Sequence, residues 1–441
     1  MNNFYELYEL NKLNELNKPN KLNKPNKLNK LYKLNTLNKL NKLNTMVFEL
    51  NEEQLAVKEA ARDLAQNVLK EGVIERDTHM IYPKDEIRQM SELGFMGMMV
   101  DPQYGGGGMD TLSYVLAMEE ISKIDNSCSV AMSVNNSLVC WGIETFGNET
   151  QKAKYLPKLA TGEWIGAFCL SEPEAGSDAT SQRTTAVDMG DHYLVNGTKN
   201  WITNGGTSSL HLVIAQTDAE KAHKGINALI VEADSPGVVV GAKEDKLGIR
   251  SSDTHTIMYN DVKVPKENRI GDDGFGFKFA MKTLNGGRIG IAAQALGIAA
   301  GAYELALAYS QERKAFGKPI SKHQAIAFKL ADMATDIEAA RMLVYRAAWL
   351  KDQGMDYTSA AAMAKVFASE VAMKHTVEAI QVHGGYGFVK EYHVERLMRD
   401  AKITQIYEGT SEIQRMVISR QILKGETHIP IVVPGYAETV Q

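Results

Sequence analysis

The sequence predicts a multidomain α+β protein: a helical N-terminal domain, a small antiparallel β-barrel or sandwich in the middle, and a C-terminal four-helix bundle. Two features carry that expectation. Apolar residues recur at helical spacing up to about Lys158 and again from Phe275 onward. Between Ile165 and Asn268 the texture changes to short β-branched runs punctuated by Asn-Gly pairs. A chain of 441 residues, 44% of them hydrophobic, is also long enough for more than one core. The expected domains are 46–164, 165–272 and 273–425, with a low-complexity leader at 1–45 and a tail at 426–441.

The leader is built from Asn-Lys-Leu triplets. Leucine at positions 28, 31, 34, 37, 40 and 43 advances roughly 120° per residue instead of the ~100° of an α-helix, so the apolar stripe drifts around the axis. With no Arg and no apolar signal-peptide core, it reads as a disordered appendage or translated upstream repeat, and Met46 as the start of the functional chain. Leu55, Val57, Ala61, Leu64, Ala65 and Val68 then outline an amphipathic first helix, and Gly105–Gly108 a tight turn. Tyr193–Val195, Leu210–Ala215, Ala228–Val231 and Val238–Val240 read as strands, with Asn196-Gly197 and Asn204-Gly205 as hairpin turns. Farther on, Ile289, Ala292, Ala293, Leu296, Ala300, Tyr303 and Leu307 form one helical stripe. Ile326, Leu330, Met333, Ile337, Ala340, Val344 and Ala347 form a second. Gly354 and Thr358 stop and restart the chain before a third helix through Ile380; Ser411 with Gln414 is a capping box opening a fourth, which Gly425 ends.

The formal charge of −5 conceals an uneven distribution. The first 45 residues hold nine Lys against three Glu, which leaves 40 basic and 51 acidic residues, a net of −11, on the rest. A body that acidic repels nucleic acid. No stretch reaches the ~18 uninterrupted apolar residues of a membrane helix, so no membrane is expected as a partner. Cys128, Cys140 and Cys169 have neither CxxC spacing nor histidines at metal-binding intervals. They read as inert buried thiols in a reducing, cytoplasmic setting, with no metal.

The dinucleotide, P-loop, serine-hydrolase and zinc-protease motifs are all missing. Three constellations stand out instead. Phe168 to Asp178 puts small hydroxyl residues and a glycine beside the first strand, suited to bringing backbone N–H groups to a flat cofactor or a phosphate, though a polar loop reads the same way. Gln381 to Gly387 ends a helix in glycines, which serves either close approach to a ligand or plain termination, with His383 read as structural. Ile406 to Glu412 sets a carboxylate, Glu408, beside a glycine just before a helix N-terminus. That suits a general base; it also suits a residue that merely complements the helix dipole.

Taken together, residues 46–425 resemble the acyl-CoA dehydrogenase family, most like its short-chain (butyryl-CoA) members. Leu170-Ser171-Glu172-Pro173 with Ala175-Gly176-Ser177-Asp178 matches one signature, and Arg399-Asp400-Ala401-Lys402 followed by Ile406 to Arg415 matches the closing one. Trp201-Ile202-Thr203-Asn204 and Arg313-Lys314-Ala315-Phe316-Gly317 match landmarks between them. The resemblance implies a β-barrel between two helical domains, FAD as cofactor, and a homotetramer. It implies that Phe168, Leu170, Ser171, Ser177, Trp201, Ile202 and Thr203 hold the isoalloxazine. Arg313, Phe316, Gln324, Gln381, Val382, Gly384, Gly385, Thr410, Ser411 and Glu412 would hold the remainder, partly across a subunit contact. Ser177, Asn285, Gly286, Gly287, Arg288 and Gly409 would line the acyl-CoA site.

Glu408 would be the base that takes the α-proton while the β-hydrogen leaves as hydride, giving a trans-2-enoyl-CoA. Some relatives carry the base on the helix beginning near Leu284; that position here is Gly287, so the choice falls on Glu408. An electron-transferring flavoprotein is the expected electron acceptor. The same fold also serves branched-short-chain or glutaryl-type substrates and acyl-CoA oxidases. Glu174 departs from the signature, and its carboxylate either faces solvent or alters the flavin loop.

Overall fold

The computed structural model describes residues 49–425, so the leader, the tail and the expectations attached to them lie outside the described residues. Of the described residues, those from Glu52 to Gly425 belong to one compact unit. Its N-terminal part is helical: α1 (Glu52–Leu64), α2 (Val73–His79), α3 (Lys84–Glu92), α4 (Thr111–Ser122), α5 (Asn126–Ser133), α6 (Trp141–Phe146) and α7 (Glu149–Ala160). Helix α1 buries Gln54, Val57, Ala61 and Leu64 and widens into a π-helical turn over Ala65–Leu69. The expected stripe is displaced at its start: Leu55 is exposed, while the Gln54 amide is buried and donates to Asp110 Oδ2 at 2.8 Å. Gly105–Gly108 is the tight turn anticipated, with Gly105 and Gly108 at positive φ and the N–H groups of Gly107, Gly108 and Met109 bonded back to Gly97, Val100 and Met98.

The middle region is an eight-stranded sheet. Strands β1 (Gly166–Cys169), β2 (Thr185–Asp188), β3 (His192–Thr203), β4 (Leu210–Gln216), β5 (Ile226–Glu232), β6 (Val238–Lys243), β7 (Thr254–Pro265) and β8 (Arg269–Ile270) run in the order β6-β7-β3-β2-β4-β5-β8, with β1 also on β4. Two expectations change here. The path does not close into a barrel, and the sheet is mixed, because β1 and β2 both lie parallel to β4. Asn196-Gly197 is not a turn; it lies inside β3, where the register against β7 slips between Val195 and Gly197, a bulge in a long strand. Asn204-Gly205 does turn the chain, with Asn204 at φ +63°, but β3 and β4 do not pair across it.

Burial explains why β4 and β5 read as unbroken apolar runs. Leu210, Leu212 and Ile214 of β4, with Ile226, Ala228 and Ile230 of β5, pack on the helices through Val134, Leu138, Tyr155 and Phe279. Val213, Ala215, Leu229 and Val231 point the other way, into a second core with Tyr193, Ile257 and Tyr259. Both faces are covered, so the alternation of a half-solvated strand is lost.

Helix α8 (Gly276–Glu312) then crosses the molecule, followed by a small hairpin of β9 (Lys314–Ala315) and β10 (Lys318–Pro319). Helices α9 (Gln324–Asp352), α10 (Thr358–His383), α11 (His393–Thr404) and α12 (Ser411–Leu423) complete the fold. Helix α8 is long and apolar enough to span a membrane, but 72% of its most apolar window is buried by its neighbours, as befits a core helix. Gly354 and Gly425, both at positive φ, end α9 and α12 where expected. Helix α11 was not anticipated: Val394, Leu397 and Ala401 are its only buried apolar side chains, and Arg396 and Asp400 are buried with them as an ion pair. The residue capping α12 is Thr410, not Ser411; its hydroxyl accepts the Ile413 N–H, and Gln414 reaches back to backbone carbonyls instead of closing a capping box.

Candidate active site

Between α11 and α12 the chain makes a turn in which Glu408 (φ +52°) and Gly409 (φ +92°) both take left-handed backbone. A non-glycine residue there is uncommon and persists where the surroundings over-determine it. They do so here. Gln414 Nε2 donates to the carbonyls of Glu408 (3.2 Å) and Gly409 (2.8 Å), Lys365 Nζ donates to the Gly409 carbonyl at 2.7 Å, and Ser411 N–H to Gln405 O at 2.9 Å. The Tyr407 hydroxyl is anchored on Gln294 Oε1 of α8.

The turn aims the Glu408 carboxylate at α8. A Cβ added at Gly287 would stand 2.0 Å from Glu408 Oε2 and 2.7 Å from Leu138 Cδ2, so the glycine leaves the space the carboxylate occupies. That explains why Gly287 and Glu408 occur together. A side chain on α8 at this place and the Glu408 side chain compete for one volume.

Glu408 Oε2 is sealed from solvent and makes no hydrogen bond among the described residues, nor does the Glu408 backbone N–H. Burial pushes its carboxyl up to about 7, against the opposing pull of Lys365 and Arg288. The same burial lowers Lys365 to about 7, with the Glu408 charge resisting, and depresses Arg288. Asn285 accepts from Arg288 Nη1 and donates to Thr358 Oγ1 at 3.2 Å, which joins Asn285, Gly286, Gly287 and Arg288 on one turn of α8 beside the carboxylate.

The strand region supplies the opposite wall. Phe168 and Leu170, at the end of β1, share an apolar cluster with Leu138, Phe279 and Tyr407. The Asn200 N–H donates to Ser171 O at 2.9 Å and ties that strand end to β3. There β3 slips register between Lys199 and Ile202, so Ile202 turns inward while Trp201, at φ +58°, stays 59% exposed and Thr203 ends the strand. Behind the bulge, fully buried Lys199 Nζ donates to Leu170 O (3.1 Å), Glu172 Oε1 (2.6 Å) and Gln182 Oε1 (2.5 Å), locking the loop after β1 to β3. Ser177 is exposed on that loop. Glu174 faces solvent and pairs with Arg183 at 2.5 Å.

The remaining expected residues lie elsewhere. Arg313 follows α8 and sits over the Tyr386 ring, 5.5 Å from its centroid. It lines an open groove of about 640 Å³ with Tyr309, Val382, His383, Gly384, Gly385 and Tyr392. Phe316 is 95% exposed at φ +52° on the tip of the β9–β10 hairpin, and Gln324 and Gln381 are exposed nearby in sequence to these elements. Arg313 is 26 residues beyond Gly287 on one continuous helix, or ~39 Å at 1.5 Å per residue. One chain therefore does not bring this group to Glu408. His383 is structural, as read: it is stacked on Tyr309 at 4.3 Å, bonded to Ala379 O, and held below its ordinary pKa by burial. The three cysteines are buried and free, with thiols pushed up by burial.

Two of these features fit a flavin. A large aromatic is displayed on strained backbone at the rim of the strand wall, and the α12 N-terminus presents the buried, unpartnered Ser411 hydroxyl beside Thr410 and the exposed Glu412. A carboxylate titrating near neutrality, buried and without a donor, can take a proton from a weak carbon acid. Lys365 went unnoticed in the sequence. Its signal was available: a lysine in the alanine-rich first half of the helix, with only small residues, Ala361, Ala362, Ala368 and Ser369, three and four positions away.

Comparison with known proteins agrees with this arrangement. Residues 51–163, 167–262 and 274–423 match the N-terminal, middle and C-terminal domain models of acyl-CoA dehydrogenase. The short-chain-specific acyl-CoA dehydrogenase of Clostridium acetobutylicum is 50% identical over 379 residues, covering 86% of this chain and all of that protein. Among solved structures, butyryl-CoA dehydrogenase from Megasphaera elsdenii superposes with a TM-score of 0.85 at 49% identity, covering 86% of this chain and 100% of that one. A chain from work on the electron transferring flavoprotein of Acidaminococcus fermentans gives the same TM-score at 51% identity, with the same coverage. The chain belongs to the acyl-CoA dehydrogenase family, whose members are FAD-dependent oxidoreductases.

Proposed function

We propose that this protein oxidises a short-chain acyl-CoA to its trans-2-enoyl-CoA, with Glu408 as the base for the α-proton. The observation that carries the reading is the Glu408 carboxylate itself: sealed at Oε2, without a donor, raised to about 7, and fitted against Gly287. The α-C–H of a thioester is a weak acid, so its carbonyl must be polarised as the proton leaves, and the free Glu408 N–H is the chain's own donor for that oxygen. Glu408 accepts the proton at its carboxylate, a role that contributes ~10²–10⁴-fold in rate. Bound FAD supplies the acceptor for the β-hydrogen, which leaves as hydride. Phe168, Leu170, Ser171, Trp201, Ile202 and Thr203 would hold the ring, with Ser177 at the mouth shared with the acyl-CoA. Asn285 to Arg288 and Gly409 would seat the thioester.

Support for a short acyl group comes from the filling around the carboxylate. Leu138 abuts Gly287, and one turn along α8 the Tyr114 hydroxyl and Ser133 Oγ would lie 2.5 and 2.6 Å from a Cβ at Gly290. The separation of Arg313, Phe316, Gln324, Gln381, Val382, Gly384 and Gly385 from Glu408 supports a homotetramer in which a second copy brings that group to the cofactor. We read α8, α9, α10 and α12 as its four-helix bundle, and 46–164, 165–272 and 273–425 as the three domains, in line with the segments matched by the family. An electron-transferring flavoprotein is the proposed acceptor of the electrons, and the cytoplasm the proposed compartment.

Glu408→Gln tests the base. It is expected to retain yellow flavin and to lose anaerobic bleaching by a ladder of acyl-CoA thioesters from C4 upward. Full butyryl-CoA turnover in that variant would end the assignment.

A further inference from the structure

We infer that Lys365 is a positioning residue for the reaction, holding the turn that carries Glu408 and setting the charge against which its carboxylate titrates. The inference rests on reading Glu408 as the base. Lys365 lies two turns into α10, has no exposed surface, and has no carboxylate within ion-pair distance among the described residues. Burying an ammonium without such a partner is costly. Its one hydrogen bond among the described residues, 2.7 Å long, goes to the carbonyl of Gly409. Gly409 follows Glu408 directly, and both sit on left-handed backbone. That carbonyl also accepts from Gln414 at 2.8 Å, so α10 and α12 grip the turn from two sides.

A lysine that only filled space would not need to reach a main-chain oxygen beside the reactive residue. Methionine or leucine packs an alanine-rich helix at no cost in desolvation. The charged neighbourhood points the same way. Glu408 on the turn, Arg288 on α8, Glu412 on α12 and Glu370 on α10 itself face the ammonium, while Arg288, Tyr407 and Tyr114 of α4 complete the surroundings of the carboxylate. Of these, Lys365 exerts the strongest pull toward ionisation of Glu408, ahead of Arg288. Its position thus serves geometry and acidity together, and neither contact needs the substrate.

The experiment compares the holoenzyme with Lys365→Met, Lys365→Arg and Glu408→Gln. Each is assayed for FAD content, for the amide-exchange rate of the segment 405–411, and for the pH dependence of kcat and KM with butyryl-CoA. Lys365→Met removes both the donor and the charge. Its expected signature is faster exchange in the turn, kcat lowered ~10²-fold with KM little changed, and the acid limb of the pH profile displaced upward by ~1–3 units. Lys365→Arg, which keeps a cationic donor, is expected to restore most of the limb's position. An unchanged limb and unchanged exchange in Lys365→Met, with FAD retained, would overturn the inference even if Glu408→Gln is inactive. Full activity in Glu408→Gln would instead remove the reading beneath it. Should Lys365→Met fail to retain FAD, Lys365→Arg decides: the parental limb and exchange rate support the role, and a displaced limb with slow, parental exchange refutes it.

Discussion

Replacing Gly287 by alanine separates the geometry of the site from the stability of the fold. The added methyl would stand 2.0 Å from Glu408 Oε2, whereas ordinary van der Waals contact begins at 3.4 Å, so the carboxylate must retreat by about 1.4 Å. The obstructing atoms are the far ends of the Glu408 and Leu138 side chains, which move without dragging backbone. Alanine also favours a helix interior over glycine by ~1 kcal/mol. Folding should therefore be unaffected or slightly improved, while the base is displaced from its working position. Misplacements of about 1 Å cost on the order of 10² in rate. Gly287→Ala is expected to bind FAD at parental stoichiometry, melt at or above the parental temperature, and bleach ~10²-fold more slowly with butyryl-CoA in anaerobic stopped flow. A parental bleaching rate with FAD bound would refute the claim that α8 and the carboxylate compete for one volume. A large loss of melting temperature would refute the claim that only side-chain ends must move.

Two further outcomes follow from the charges. Because Glu408 works as the anion and burial raises it to about 7, bleaching should climb through about pH 7 and flatten above it; a limb near the ordinary carboxylate value of 4.5 would contradict the sealed environment. Lys199→Met leaves Glu172 buried in the loop after β1 with no cation, a change worth ~3–5 kcal/mol where a buried pair is broken. It should lower the urea midpoint correspondingly, and an unmoved midpoint would mean that burial, which already drops Lys199 to about 8, cancels the pair's attraction.

The order of helices, strands and helices was legible because it rests on local rules: the 3.6-residue stripe from Leu330 to Ala347, the stops at Gly354 and Gly425, and the apolar runs of β4 and β5. Glu408 was legible as a carboxylate beside a glycine, just before a helix start. Local rules failed where a partner from afar decides. Asn196-Gly197 has the composition of a turn, but β7 pairs on both sides of it and turns it into a bulge. Helix α11 escaped because its interior face carries the Arg396–Asp400 pair, satisfied by Asn126 and the Ile249 N–H from distant segments. The parallel placement of β1 on β4 likewise needs 44 residues of chain to return, from Gly166 to Leu210.

By itself, then, the amino-acid order determined the succession of helical, extended and helical regions and, through the family resemblance it carries, singled out Glu408 as the candidate base. Only the folded chain decided that one oxygen of this carboxylate is sealed from solvent, that it fills the gap above a glycine from another helix, and that a lysine 43 positions earlier, from Lys365 to Glu408, bonds to its turn. The physical reason is that acidity depends on surrounding dielectric and charge, and these are properties of packing among segments far apart in sequence, not of the residues flanking Glu408.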